Sequence, residues 1–524
     1  MAAEINLNEE KHHDKTLTEL EYADTKESVL EGPIARPEGK VYITTSAAQV
    51  DSLKFAKDGH TLLVPQPSDD PNDPLNWSSV KKNTLLVIVS LSALLPEFGS
   101  SLGAVTLLPQ AEEWHMTPDH VNHSQAGNVF MLGVGGLFAI TCSAYFGRLP
   151  VLFWMLCMAL GTAIWCAAAV TFESFMAARI LNGFFSAVSQ SGATIFINDL
   201  FFFHEKARKI GIWICFVILA PSLGPMLGAF MLTTQRWPLP YWILSSITGL
   251  CLVLVILFGE ETYYDRRLKL EEQPVKRHRL LRLIGVEQFQ SRRQRNTVRE
   301  TLRRPAHVLI LPTVFISVIY AGITFAWQVG INTTAAIFLT PLYHFGILQV
   351  GYFYFAPAIG AVLGEAAGYF THDFIAKRYE KTHNGYFHPE ARLRGTWVAT
   401  PFLVAGLVLI GFAFQDHLHY LVAAAGWILY NIGAMISVVS INAYCLDSYP
   451  EASGEAAAWL NLGRTVGGFI ISYEQVTWAT SEGTKASFGI QAGICTFGLV
   501  LVAFLQIYGQ RLRKWSGSLN FKTI

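Results

Sequence analysis

Long uncharged apolar runs recur along this chain between Asn83 and Tyr508, and each is close to the ~20 residues that a helix needs to cross a bilayer. Hydrophobic residues make up 52% of the 524 residues and charged residues only 15%, whereas soluble domains carry about 25% charged residues. The sequence therefore predicts an all-α membrane protein that crosses the bilayer many times. These features exclude a soluble enzyme, and the net charge of zero argues against a nucleic-acid binder.

The apolar runs fall into two sets of six, separated by a polar stretch that is rich in arginine. We predict spans near 83–108, 124–146, 150–171, 174–198, 209–232 and 240–258, and then near 308–332, 347–370, 395–415, 418–446, 457–479 and 486–508. The predicted organisation is a disordered tail at 1–82, a first half at 83–258, a basic central loop at 259–307, a second half at 308–508 and a short tail at 509–524. The expected architecture is a bundle of twelve transmembrane helices in two six-helix halves.

Basic residues lie mostly in the loops that follow even-numbered spans, for example Arg148, Lys206 and Arg394. Because cytoplasmic loops carry an excess of lysine and arginine, both chain ends and the central loop are predicted to face the cytoplasm. We expect a multi-pass protein of the plasma membrane, with the vacuolar membrane as the alternative. The triplets that begin at Asn122 and Asn332 match the N-glycosylation pattern, which also occurs by chance.

Charged residues inside the predicted spans are costly and therefore need a reason. Glu97 lies near the middle of the first span, Arg179 lies in the fourth, and Arg464 and Glu474 lie in the eleventh. A carboxylate at this depth faces a water-filled cavity, pairs with a cation or carries a proton, and all three are typical of a transporter. The competing interpretation is that some of these charges lie at helix ends and extend to the interface, as Arg179 and Glu365 would.

Polar side chains recur at helical spacing in the first, fourth, seventh and tenth spans. The residues that we predict to line a substrate cavity are Ser101, Gln190, Trp327, Gln328, Trp427, Asn431 and Asn442. For any single residue, a hydrogen bond between packed helices is the simpler explanation. Four such stripes at the same position of each three-helix block instead favour a shared polar cavity between the halves. The aromatic residues suit an apolar or cationic organic compound.

The fifth span combines small residues with proline in the order Gly211, Ala220, Gly224, Pro225 and Gly228. Small residues four positions apart form a ridge that lets another helix approach closely, and proline loosens the backbone beside it. Spaced small residues alone are common and indicate packing. The full spacing with its Gly-Pro pair is more specific, and it predicts a role in conformational change for this span.

Taken together, these motifs resemble the major facilitator superfamily, and within it the fungal-type twelve-span group of drug:proton antiporters. The fifth-span pattern is similar to that group's antiporter motif. The run Arg-Ile-Leu-Asn-Gly at 179–183 is similar to its fourth-span motif, and Asp-Pro-Leu-Asn-Trp at 73–77 is similar to its signature before the first span. The resemblance covers roughly residues 70–512, and it implies that Arg179 takes part in proton coupling.

One motif departs from the family's pattern. After the second span the family has a glycine, three residues, an aspartate, an arginine, one residue, a glycine and an arginine. Here Gly147 and Arg148 fit the end of this motif, but its first glycine, its aspartate and the following arginine are replaced. In the family that aspartate helps to latch the cytoplasmic gate. We expect Arg148 to pair with an acid beyond the fourth span, either Asp199 or Glu205.

The predicted function is proton-coupled transport of a small organic molecule by alternating access, as an efflux antiporter for a drug-like compound or secondary metabolite. Glu97 or Glu474 carries the proton in this hypothesis. Arg179 changes how readily that carboxylate holds its proton as the halves move. The first alternative is a proton symporter that imports a polyamine-like organic cation. The second is a nutrient sensor with a transporter's body.

Two motifs of common enzyme classes do not occur in the sequence: there is no P-loop and no zinc-protease motif. We therefore expect no enzymatic activity, no cofactor and no metal. The expected partners are a small-molecule substrate, protons and the lipid bilayer, without nucleic acid. The protein is expected to act as a monomer.

Overall fold

The computed structural model describes residues 65–264, 278–290, 297–382, 388–449 and 452–517, together with Lys54, Leu63, Arg266 and Gln273. Most of the predicted N-terminal tail and the last part of the C-terminal tail lie outside these residues. The long elements of the described part are all α-helices. This agrees with an apolar chain that must satisfy its backbone hydrogen bonds within a bilayer.

The described residues form twelve long helices, which follow the two predicted sets of six. The first half contains α1 (Ser79–Glu113), α2 (Pro118–Phe146), α3 (Arg148–Ala168), α4 (Phe172–Leu200), α5 (Phe203–Leu232) and α6 (Pro238–Phe258). The second half contains α7 (Pro312–Tyr343), α8 (Ile347–Tyr379), α9 (Arg394–Gln415), α10 (Tyr420–Ser448), α11 (Ser453–Glu482) and α12 (Thr484–Ser516). Since the number of helices is even, α1 begins and α12 ends on the same face of the bundle. We call this the terminal face, and the other the opposite face.

Among these twelve helices, eleven are long and apolar enough to cross a membrane, and α11 is the exception. Its 30 residues include Glu455, Arg464, Glu474 and Glu482, which lower its mean hydropathy. α11 nevertheless packs against α2 and α7, so much of its surface faces protein rather than lipid. A span of this polarity is expected where a membrane protein surrounds a cavity.

The two halves repeat the same internal packing. α1 packs against α5 and α2 against α4, just as α7 packs against α11 and α8 against α10. α3 contacts α4 and α6, as α9 contacts α10 and α12. Between the halves, α1 meets α7, α2 meets α11 and α5 meets α8. The fold is therefore a pseudo-twofold repeat, in which each helix of the first half has a counterpart six helices later.

Side-chain caps determine where several helices begin. The hydroxyl groups of Ser78, Thr117 and Thr171 accept hydrogen bonds from backbone N–H groups in the first turns of α1, α2 and α4. A capped first turn is stable outside the apolar region, so α1 starts at Ser79, before the predicted start at 83. Between α2 and α3 the chain turns at Gly147, whose φ of 96° favours glycine.

The end of the predicted disordered tail is ordered and packed against the terminal face. Pro74–Asn76 form a short 3₁₀ helix capped by Asp73, whose side chain is fully buried. Arg266 donates hydrogen bonds of 2.9 and 3.1 Å to the Asp73 carboxylate. Burial raises the pKa of the Asp73 carboxyl, but Arg266 and the backbone N–H groups of Ser68 and Leu75 outweigh burial and hold the pKa below its usual value. The polar composition of this segment predicts disorder, because composition contains no information about this buried ion pair.

The central loop contains short helices in its described part. They are Arg279–Leu283, Val286–Gln290 and Val298–Ile310. The third, which we call the loop helix, begins with a capping box between Thr297 and Glu300. It contacts α2 in one half and α11 in the other, and its Arg304 pairs with Glu455 at 3.0 Å. The loop helix therefore bridges the two halves on the terminal face.

Candidate functional site

Glu97 of α1 lies beside a glutamine of α4. Gln190 Nε2 donates a hydrogen bond of 3.1 Å to Glu97 Oε1. Gln190 is buried, whereas Glu97 is half-buried. Pro96, immediately before Glu97, has no backbone N–H and interrupts the hydrogen bonding of α1 at this depth. The predicted polar stripes of the first and fourth spans thus meet at this pair.

A cation from the other half faces this carboxylate. The charge of Arg464 on α11 interacts with that of Glu97 across the interface between the halves, although the two side chains form no ion pair within 4.0 Å. The guanidinium lies over the ring of Phe325 on α7, 3.9 Å from its centroid. Arg464 Nε is buried without a hydrogen-bond partner. We call Glu97, Gln190, Phe325 and Arg464 the central site.

Sequence reasoning noticed Arg464 as a charge inside a span but did not place it in the site. The signal was present, because a guanidinium at this depth is costly unless it has a function. The missing information was which helices of the two halves meet. The packing of α11 against α2 and α7 supplies it.

Arg179 lies in the first half and is buried, at 2% exposure. One terminal nitrogen donates a hydrogen bond to the Tyr241 hydroxyl, and the other donates to the Ser100 carbonyl at 2.8 Å. Its guanidinium also lies near the rings of Phe175 and Tyr241. Within the described residues Arg179 forms no ion pair. Its link to the central site is the hydrogen bond to the Ser100 carbonyl of α1, three residues after Glu97.

Glu474 is separated from the central site along α11. It lies ten residues after Arg464, which corresponds to roughly 15 Å along a helix, and toward the opposite face. Its side chain is exposed on the bundle surface. The structure does not bring the two predicted proton carriers, Glu97 and Glu474, together.

The other residues predicted to line a cavity lie mainly inside one half. Ser101 is buried, and its hydroxyl donates to the Phe98 carbonyl at 3.2 Å and to the Ala220 carbonyl at 3.5 Å. It therefore packs between α1 and α5. Trp327 and Gln328 are buried on α7, and the Gln328 side-chain oxygen has no hydrogen-bond partner.

The tenth-span stripe packs within the second half. Trp427 is fully buried and contacts the rings of Phe353 and Tyr354 on α8. Asn431 and Asn442 each donate a side-chain hydrogen bond to a carbonyl of their own helix, at 2.9 Å in both cases. Trp427 and Asn431 of this stripe therefore lie at the contact between α8 and α10 in this structure.

The small-residue ridge of α5 meets α1 at very short range. A Cβ atom on Gly224 would lie 2.3 Å from Ser101 Oγ and 2.7 Å from the Phe98 carbonyl oxygen. A Cβ atom on Gly228 would lie 3.0 Å from Val105 Cγ2. Pro225 is buried within α5 beside this contact. Gly211, by contrast, has open space where a side chain would be.

The second half has a matching contact that sequence reasoning missed. A Cβ atom on Gly463 of α11 would lie 2.7 Å from the Val318 carbonyl oxygen of α7, and one on Gly467 would lie 2.5 Å from the Gly322 carbonyl oxygen. α11 and α7 are the counterparts of α5 and α1. Arg464 is therefore held on the stretch of α11 that packs most closely against α7.

Arg148 forms the predicted ion pair with Asp199. Its Nε lies 3.1 Å from Asp199 Oδ2, and Thr262 donates to the same oxygen at 2.9 Å. The Glu261 carboxylate accepts the backbone N–H groups of Arg148 and Leu149 at the start of α3. An acid from the end of α4 thus pairs with the arginine that remains of the family motif.

The second half repeats this pair as well. Arg392, just before α9, lies 2.9 Å from Asp447 near the end of α10. These are the positions that correspond to the start of α3 and the end of α4. Each half therefore has its own ion pair on the terminal face.

Polar contacts join the halves near the opposite face. Asn122 on α2 donates to the Ser472 carbonyl of α11 at 2.9 Å, and Asn332 on α7 donates to the Pro221 carbonyl of α5 at 3.3 Å. Asn122 is fully buried and Asn332 is 6% exposed. Neither glycosylation triplet is accessible to a sugar in this structure.

Comparison with known proteins settles the family. Residues 83–472 match the family model of the Major Facilitator Superfamily. The chain belongs to this superfamily. Its members are transporters, and the match extends across both halves of this multi-pass membrane protein.

Fungal members of the family align along nearly the whole chain. An uncharacterized MFS-type transporter of Schizosaccharomyces pombe is 24% identical, with 91% of this chain and 92% of the relative covered. Efflux pump radE of Floropilus chiversii is also 24% identical, with 91% and 89% covered. MFS transporter cpaT of Aspergillus oryzae is 24% identical, with 85% and 90% covered.

Solved structures of the family share the fold. The xylose transporter XylE from E. coli, in a partially occluded inward-open conformation, superposes with a TM-score of 0.58 at 14% sequence identity, covering 82% of this chain and 99% of XylE. The human organic anion transporter MFSD10 superposes with a TM-score of 0.52 at 18% identity, covering 80% and 99%. These likenesses establish the major facilitator fold that the sequence predicted.

Proposed function

We propose that this transporter is proton-coupled and exports a small organic molecule, a drug-like compound or a secondary metabolite, in exchange for protons. The observation that carries the proposal is the position of Glu97. This carboxylate lies half-buried between the halves, holds a hydrogen bond from Gln190 and faces Arg464 of the other half. A titratable group at such an interface senses the relative position of the halves.

Proton exchange at Glu97 provides the coupling. When Glu97 is ionised, it attracts Arg464 and draws α1 and α11 together. When Glu97 is protonated, this attraction is lost and the halves are free to rearrange around the site. Because a proton and a substrate group compete for the same carboxylate oxygen, the two are carried in opposite directions.

Arg179 acts in this scheme as a positioning residue. Its hydrogen bond to the Ser100 carbonyl fixes α1 just after Glu97. The close contact of Gly224 with α1 holds the same helix from the other side. Glu474 remains the alternative proton carrier, and the experiment below includes it.

Export is supported by the fifth-span motif and by a relative that is named an efflux pump. The charges of the loops support a cytoplasmic terminal face, and we propose the plasma membrane as the location and a monomer as the working unit. Import of a polyamine-like cation fits the central site less well, because the positive charge of Arg464 repels such a substrate from Glu97.

Flux into proteoliposomes tests the proposal. The wild-type protein should move fluorescent organic compounds against their gradient when a pH gradient is imposed, and should lose this when the gradient is collapsed. Glu97→Gln should retain exchange without a gradient but lose gradient-driven accumulation. Glu474→Gln tests the alternative carrier, and it should behave as the wild type if Glu97 carries the proton. Full gradient-driven transport by Glu97→Gln would remove Glu97 from the mechanism.

A further inference from the structure

Arg464 lies deep within α11 and, among the described residues, lacks a hydrogen-bond acceptor, in contrast to the paired arginines near the terminal face and to the buried Arg179. Arg148, Arg392 and Arg513 each form an ion pair with a carboxylate at 2.8–3.1 Å. Arg179 donates to a hydroxyl and a carbonyl. Within the described residues Arg464 has neither an ion pair nor a hydrogen bond, and its Nε is buried.

Arg464 is half-buried, and Nε is the nitrogen of its guanidinium that is buried without a hydrogen-bond partner. Transfer of a charged group out of water costs several kcal/mol unless hydrogen bonds and an opposite charge compensate it. Glu97 supplies only a longer-range attraction, because the two side chains do not come within 4.0 Å. The chain itself therefore leaves this cation with donor groups that a ligand can use.

The geometry around Arg464 limits the kind of ligand. The guanidinium carbon lies 3.9 Å from the centroid of the Phe325 ring, so this ring occupies one side of the group. The N–H groups of a guanidinium lie in its own plane and present their hydrogens at its edge. This arrangement matches a planar group with two acceptor oxygens, which binds to the edge of the guanidinium through two parallel hydrogen bonds.

We propose that Arg464 binds the acidic group of the transported molecule, and that the substrate is an organic carboxylate. Its carboxylate pairs with Arg464, and an aromatic or apolar part of the molecule packs beside Phe325. A hydroxyl or amino group elsewhere on the substrate donates to Glu97. This assignment rests on the proposed transport function, and it replaces the apolar or cationic compound that the aromatic residues suggested.

Binding of matched acid and ester pairs to the purified protein tests the assignment. We would use rhodamine 110 and its methyl ester rhodamine 123, fluorescein and its methyl ester, and benzoate and methyl benzoate. Affinities are measured by isothermal titration without any membrane gradient, so failure of proton coupling does not affect them. The variants are Arg464→Gln and Arg464→Lys. Arg511→Gln, at an exposed position near the end of α12, is the matched control.

The wild type and Arg511→Gln should bind at least one acid about 10- to 100-fold more tightly than its ester. Arg464→Gln should abolish this preference. Arg464→Lys should retain part of the preference for the acid, since lysine keeps the charge but cannot form two parallel hydrogen bonds. If the glutamine variant does not fold, the lysine variant tests the assignment. Equal affinities for every acid and its ester in the wild type, or binding of no acid at all, would overturn the assignment. Acid binding with flux that ignores the pH gradient would leave the assignment intact and contradict proton coupling.

Discussion

The Glu97 carboxylate accepts a hydrogen bond from Gln190 and lies within the electrostatic range of Arg464, while Arg179 occupies a separate pocket in the first half. The proposed mechanism therefore gives the two arginines different tasks. In it, Arg464 is the cation whose interaction with Glu97 changes when the halves move. Arg179 joins α1, α4 and α6 within one half, and its surroundings are not expected to change during transport.

This division predicts that Arg179→Gln acts mainly on stability. The substitution leaves the Ser100 carbonyl and the Tyr241 hydroxyl without their charged donor, which should lower the free energy of unfolding by about 3 kcal/mol. Tyr241→Phe removes one of these hydrogen bonds and should cost about 1 kcal/mol. Thermal unfolding in detergent measures both. An Arg179→Gln protein with wild-type stability and no gradient-driven flux would show that Arg179 acts in coupling instead.

The sequence predicted part of the central site. Helical spacing places Glu97 on the polar face of α1 and Gln190 on the polar face of α4. The structure brings these two faces together, because α1 and α4 are neighbours within the first half. Spacing along one helix does not tell which neighbour that helix faces. For this reason the sequence predicts that Trp427 and Asn431 line a cavity, although they pack against α8 in this structure. For the same reason it does not place Arg464 in the central site.

At the scale of elements, the close packing of α5 on α1 is the feature most sensitive to side-chain bulk. Gly224→Leu would place side-chain atoms on Ser101 and the Phe98 carbonyl, where a Cβ atom already has too little room. We expect a protein that inserts in the membrane but loses transport by at least about tenfold, because the two helices can no longer touch. Gly211→Leu on the same helix enters open space and should transport normally. Normal flux by Gly224→Leu would show that this contact is not needed in the cycle.

The segment before α1 is held by one buried ion pair. Asp73→Asn removes the charge that pairs with Arg266, and it should destabilise the docked segment by about 2 kcal/mol. Faster hydrogen exchange of the backbone N–H groups of Leu75 and Trp77 would report its release. Asp69→Asn, whose side chain is 95% exposed, is the control and should leave exchange unchanged.

The pH dependence of this contact follows from the lowered pKa of Asp73. A carboxyl with a depressed pKa contributes its stability fully above the ordinary value of 3.8, and this contribution is lost only as the pH falls through the lower value of the folded protein. The protection of the backbone N–H groups in the segment, which is the intrinsic exchange rate at each pH divided by the observed rate, should therefore be constant from neutral to mildly acidic pH. Release of the segment near neutral pH would contradict the ion pair.

The positions of the spans followed from hydropathy, but their ends did not. Apolar length defines the part of a helix that suits lipid, whereas α1 and α11 extend beyond it through capped or protein-covered turns. The matching glycine contact of α11 with α7 was also missed, since Gly463 and Gly467 surround a charged residue and their helix is unusually polar. This contact is recognised in the structure, because α11 packs against α7 in the same way as α5 packs against α1.

At the scale of the molecule, the two halves are similar units that meet through α1 with α7, α2 with α11 and α5 with α8. Each half has its own ion pair on the terminal face, and the loop helix bridges the halves on that face. Such units can move as rigid bodies around a central site. The central claim is that protonation of Glu97 shifts the balance between the two arrangements.

Distances between spin labels on the two faces test this claim directly, in a variant whose native cysteines are replaced. One pair, at Arg208 and Lys377, spans the halves on the terminal face, and the other, at Gln235 and Asp416, spans them on the opposite face; all four positions are exposed. On acidification one distance should lengthen as the other shortens. Glu97→Gln should show the acidic distances at neutral pH and respond no further. Distances that do not change with pH, or a response that survives unchanged in Glu97→Gln, would contradict the account.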